Sequence, residues 1–168
     1  DRLSYAFFAL LCLSFAAAYL EISLQTDALE ELLLKKISKT GFLGMLFFFP
    51  AFVAAYTGRP RARKPILLAW GGIGLALSLA FLFAKDKLGV DRVFGPAMTF
   101  EFVLALGGSI ALLAVSAFKD RKQGSAILLG GALLSVAASG TDIVAISGGK
   151  LPYLYFTPYG FLGVVVVI

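Results

Sequence analysis

The stretch Thr57-Gly58-Arg59-Pro60-Arg61-Ala62-Arg63-Lys64-Pro65 sets four positive charges between two long apolar runs, 41–56 and 66–84, neither of which contains a charged residue. Short basic loops stay on the cytoplasmic side of a bilayer because positively charged segments translocate poorly. The pattern predicts a helical hairpin in a membrane and gives its orientation, with Arg59, Arg61, Arg63 and Lys64 as topology-determining residues.

The rest of the 168-residue chain agrees. It is 60% hydrophobic with a mean hydropathy of +0.91, whereas soluble domains lie nearer about 45–50% apolar. The excess falls in uncharged blocks close to the ~20 residues that cross a hydrocarbon core. A transmembrane barrel would instead alternate over strands of about ten residues. The fold expected is an all-α polytopic bundle of about six spans in one domain, 1–168. The net charge of +5 would point to nucleic acid in a soluble protein. Here the cations gather in turns, so topology and anionic headgroups account for them and no nucleic-acid partner is expected.

Residues 3–20 form the first expected span. Asp27 and Glu30 read as a capping pair, Glu31 and Lys35 as an i,i+4 ion pair, and Leu29, Leu32, Leu33 and Ile37 share one face. This segment is either a short interfacial helix or an extension of the next span, 41–56, which Pro50 should kink. Pro65 suits the first position of the third span, 66–84. A polar loop, 85–95, leads to a fourth span over 96–118, opened by Gly95-Pro96. The turn Lys119-Asp120-Arg121-Lys122 precedes a fifth span, 125–147. Small residues at four-residue spacing (Gly72, Ala76 and Ala80; Gly107 and Ala111; Ala126 and Gly130; Gly131, Ser135 and Ser139) are expected to mark helix contacts. A sixth span starts near Tyr159 and is cut at Ile168.

With the 59–64 and 119–122 turns inside, eight basic residues lie inside and seven outside. The inner turns are short and almost purely basic, while the outer loops interleave acids. Lys119, Arg121 and Lys122 thus join the first cluster as topology-determining residues. Both the first residue and the C-terminal end are expected in the cytoplasm, and the location is the plasma (inner) membrane.

The sequence contains no histidine and no asparagine, which removes His-ligated haem, histidine metal sites and N-glycosylation. Cys12 is the single cysteine and forms no internal disulfide. No span holds a lysine for a retinal Schiff base. Neither catalytic residues, nor a metal site, nor a cofactor is expected. Only Glu101 and Asp142 bring charge into the spans. They are about equally far along their helices from the 119–122 turn, so both lie at similar depth in the outer leaflet. Intramembrane carboxylates are costly and often functional, though near an interface they can simply reach water. With Tyr153, Tyr155 and Thr157 they are candidates for an outward-facing ligand pocket.

The segments Ser14-Phe15-Ala16-Ala17-Ala18-Tyr19-Leu20-Glu21, Lys39-Thr40-Gly41, Phe49-Pro50-Ala51-Phe52 and Ala55-Tyr56-Thr57-Gly58-Arg59 follow one another in an order that resembles the N-terminal seven-helix sensor module of bacterial histidine kinases and cyclases. Gly130-Gly131, Asp142-Ile143-Val144, Leu151-Pro152-Tyr153 and Phe156-Thr157-Pro158-Tyr159-Gly160-Phe161 are similar to its closing helices, and to the related diverse intracellular signalling seven-helix receptors. The resemblance implies a chain that starts at the family's second helix, with a cytoplasmic output domain beyond Ile168. It implies a non-catalytic input module that relays an unknown small-molecule, lipid or protein signal to a kinase or cyclase, working as a homodimer through the last helix. The alternative is a helical subunit or half of a small transporter, since Pro50 and the glycine-rich spans suit broken helices.

Overall fold

Backbone hydrogen bonding within apolar segments decides the architecture: a segment that meets little water satisfies its own amides most fully as a helix. The computed structural model describes residues 2–23, 28–122 and 124–147. Among these the protein is all-α, with five helices and no strand: α1 (Arg2–Ser23), α2 (Ala28–Tyr56), α3 (Pro60–Phe83), α4 (Lys87–Ala114) and α5 (Ser125–Ser147). A single π-helical turn, Val115–Lys119, ends α4. The chain forms two compact units, one up to Ser109 and one from Ile110. Among the described residues, α1 over Arg2–Tyr19 and α2 over Glu31–Tyr56 are long and apolar enough to cross a bilayer. Shorter apolar stretches occupy Gly72–Phe81, Leu104–Lys119 and Ser125–Ala138.

The helix ends have local causes. At the end of α2 the Arg59 N–H donates to the Ala54 carbonyl at 3.0 Å and the Gly58 N–H to the Ala55 carbonyl at 3.1 Å. Gly58 is left-handed, with φ +70°. This is the Schellman arrangement, in which a residue without a Cβ satisfies the last free carbonyls. Pro60 then opens α3 at once, where its fixed φ and missing N–H cost nothing. The expected start at Pro65 is therefore corrected. Pro65 lies inside α3, and Arg61, Arg63 and Lys64 belong to its first turns rather than to a loop.

Most of 85–95 is helical rather than the expected loop. The Asp86 carboxylate accepts the Gly89 N–H at 2.6 Å, an N-cap bond to the third residue of α4. The helix accordingly starts at Lys87 and runs through Gly95-Pro96. Charge in this segment marks the start of a helix, not a loop. Likewise the amphipathic stretch after Asp27 is continuous with the following span, giving α2 a length of 29 residues with Pro50 inside it. Asp27 itself lies outside the described residues, as does the expected sixth span. The bounds of α5 coincide with the expected ones.

In the first unit α2 is the central element. Ala51, Phe52, Val53, Ala54 and Ala55 are buried in succession, so this part of α2 is covered around its circumference. Leu43 of α2, Phe81 of α3 and Val90 of α4 form a buried cluster, with Leu32, Leu77 and Ala84 packed against it.

Candidate functional site

Small residues decide where two helices meet most closely, and here they sit on α1 and α2. The pair runs antiparallel: Phe8 stacks near Phe52, with ring centroids 5.6 Å apart, and Tyr19 near Phe42 at 6.0 Å. Between these levels the backbones touch. A Cβ on Gly41 would lie against the Ala18 nitrogen, 2.7 Å from the Ser14 carbonyl oxygen and 2.9 Å from the Ala17 carbonyl carbon. A Cβ on Gly44 would meet the Ser14 hydroxyl and lie 2.9 Å from the Ser14 Cβ. Beside this contact the Ser38 hydroxyl donates to the Ala18 carbonyl at 2.6 Å. Close approach through small residues with a hydroxyl reaching across is how helices associate where lipid supplies no hydrophobic drive.

Three glycines from the rows at four-residue spacing behave otherwise. A Cβ placed on Gly72, Gly107 or Gly130 would meet nothing within 4 Å, so each is open within its own unit. Sequence reasoning missed the Ser14–Gly41–Gly44 contact because its residues follow three-residue steps along α2, from Ser38 to Gly41 to Gly44. That spacing was the available signal.

Other hydroxyls bond inward along their own helices. Thr57 donates to the Val53 carbonyl at 2.8 Å, Ser109 to Ala105 at 2.6 Å and Ser135 to Gly131 at 3.1 Å. Back-bonding of this kind hides a hydroxyl from an apolar surround. One pair is different. Ser116, in the π turn, and Ser125, at the start of α5, are fully buried and share a hydroxyl–hydroxyl bond of 2.9 Å. The Ser116 carbonyl also accepts the Lys122 N–H at 3.0 Å. Arg121 between them is left-handed at φ +49°, and Gly124 at φ +80°. The turn from α4 to α5 is thus closed by backbone and side chain together.

The basic residues named from sequence lie at or beside the α2–α3 and α4–α5 connections. Arg59 precedes α3 as its N-cap residue without a side-chain cap bond, and Lys64 is exposed. Lys119, Arg121 and Lys122 are all exposed around the closed turn. Of the ligand-pocket candidates, Glu101 lies on α4 in the first unit and Asp142 on α5 in the second. Tyr153, Tyr155 and Thr157 lie outside the described residues. Among the described residues no group of three or more His, Cys, Asp or Glu is placed to hold a metal ion. Comparison with known proteins finds no matching family model, no similar curated protein and no similar solved structure.

Proposed function

We propose that this chain is a polytopic membrane module of a plasma (inner) membrane, serving as a sensory or regulatory input that relays a signal to a cytoplasmic kinase or cyclase. The observation that carries the membrane part is the chain's outward apolar surface. Leu68 and Phe83 on α3 are 78% and 82% exposed, and Phe118 in the π turn is 76% exposed. Large side chains left outward in such number suit acyl chains, since soluble monomers rarely present wide apolar patches. The inward-bonded hydroxyls fit the same solvent. Each basic turn faces the cytoplasm in this reading, in accord with the positive-inside rule.

The regulatory part is supported by the resemblance of the sequence segments to the seven-helix sensor modules. An antiparallel α1–α2 pair in backbone contact is a stiff unit able to move as one body. A signal would act by binding two helix arrangements with different affinity, and the working form is a homodimer. The transporter reading is less favoured because α2 runs through Pro50 as one helix, whereas transporter sites are built on interrupted helices.

The test joins the C-terminal end of the chain to a cyclase catalytic domain and measures cyclic nucleotide in membranes. Gly41→Leu, which forces α1 from α2, should change the cyclase rate severalfold while the fusion stays inserted. An unchanged rate with insertion intact would reduce the module to an anchor or a transport subunit. Proteoliposome flux then separates those two.

A further inference from the structure

We propose that the α4–α5 turn is a docking surface for the phosphate headgroups of anionic phospholipids. The inference rests on the membrane reading above and names the lipid class that this turn selects. Residues 119–122 carry three cations, Lys119, Arg121 and Lys122, against one acid, Asp120, and all four are exposed. Immediately before them Phe118 is 76% and Val115 38% exposed. An outward apolar patch followed at once by outward cations matches the boundary between acyl chains and headgroups.

The turn's geometry keeps the two zones together. The Lys122 N–H is bonded to the Ser116 carbonyl at 3.0 Å and the Asp120 N–H to the Val115 carbonyl at 3.1 Å. The backbone that carries the cations is therefore folded back onto the last helical turn instead of extending into water. With Phe118 among the acyl chains, the three cations are held at phosphate level. Juxtamembrane cations attract anionic lipid by an increment that corresponds to about fivefold in local concentration per residue. With one acid opposing three bases, two net increments remain, and enrichment of about 25-fold over zwitterionic lipid follows.

The test uses the full chain carrying Phe118→Trp and Trp70→Phe, so that the one indole reports the turn. The protein is reconstituted in vesicles of phosphatidylcholine with a minor fraction of phosphatidylglycerol, and one lipid at a time is brominated on its chains. The expected result is quenching by both lipids, with brominated phosphatidylglycerol more effective than its bulk fraction by about 25-fold. The preference should fall toward unity in Lys119→Gln/Arg121→Asn/Lys122→Gln, and by part in Lys119→Gln or Arg121→Asn alone. Asparagine tolerates the left-handed conformation that Arg121 adopts, so these single changes remove charge and leave the turn intact. Quenching by both lipids in proportion to their bulk fractions overturns the headgroup inference and leaves the membrane reading standing. No quenching by either lipid overturns the membrane reading itself. Loss of the preference on adding inorganic phosphate, at an ionic strength where chloride leaves it intact, overturns the lipid source in favour of a free-anion site.

Discussion

The hydroxyl of Ser38 on α2 donates to the carbonyl oxygen of Ala18 on α1 across 2.6 Å, beside the point where Gly41 abuts the α1 backbone. That carbonyl is also within the α1 ladder, so deleting the hydroxyl leaves no acceptor unsatisfied. Ser38→Ala should therefore cost only about 0.5–1 kcal/mol, the scale of single interhelical hydrogen bonds in membranes. Denaturant titration of the protein in mixed micelles measures it, and a loss of several kcal/mol would mean that Ser38 holds more than this bond.

Gly41 and Gly44 should respond differently to the same substitution. A methyl on Gly41 meets backbone atoms of Ser14, Ala17 and Ala18, whereas a methyl on Gly44 meets the Ser14 side chain. Backbone cannot yield without moving a helix, so Gly41→Ala should lose about 1–3 kcal/mol, outweighing the ~1 kcal/mol that alanine gains in helix propensity. Ser14→Gly should rescue Gly44→Ala and leave Gly41→Ala unrescued. A double-mutant cycle reads the difference as coupling above about 1 kcal/mol for the 14/44 pair and near zero for 14/41.

The two connections that carry left-handed residues make a matched pair. Gly58 stands at φ +70° in open space, and Arg121 at φ +49°. A Cβ in this region costs about 1–2 kcal/mol. Gly58→Ala should thus lower stability by about that amount through conformation alone. Arg121→Gly should raise stability by up to about 1 kcal/mol, while reducing the turn's charge. Thermal unfolding in detergent, followed by loss of helical circular dichroism, shows both signs.

How far such features could be read from the sequence depends on which physical signal each one leaves. Helix existence was legible because apolar runs admit few alternatives, and the bounds of α5 follow from Ser125 and Ser147 flanking such a run. The starts of α3 and α4 are less legible, because charged residues fit a loop and a first helical turn equally well. Pro60 and Asp86 are better markers, one by its fixed φ and one by its cap bond to Gly89. Small-residue spacing shows where helices can approach, not where they do. Gly72 and Gly107 fit the pattern and are open, while Gly41 and Gly44 make the contact. The identity of the neighbouring helix, absent from any local pattern, decides between them.

Ser116 and Ser125 are fully buried and bonded to one another at 2.9 Å. Ser116 lies in the π turn, and its own carbonyl takes the Lys122 N–H. Replacing either serine by alanine strands the remaining hydroxyl in a dry site, at about 1–3 kcal/mol. Replacing both removes the stranded group and leaves only a small loss of packing. Ser116→Ala/Ser125→Ala should therefore be less destabilising than the two single changes added together, by about 0.5–3 kcal/mol. The same bond closes the turn that presents Lys119, Arg121 and Lys122, so either single variant should also weaken the phosphatidylglycerol preference read by quenching at position 118, although no charge has changed. Strict additivity of the two serine variants in denaturant titration would show that the hydroxyls find other partners, and that the π turn holds its shape by backbone bonds alone.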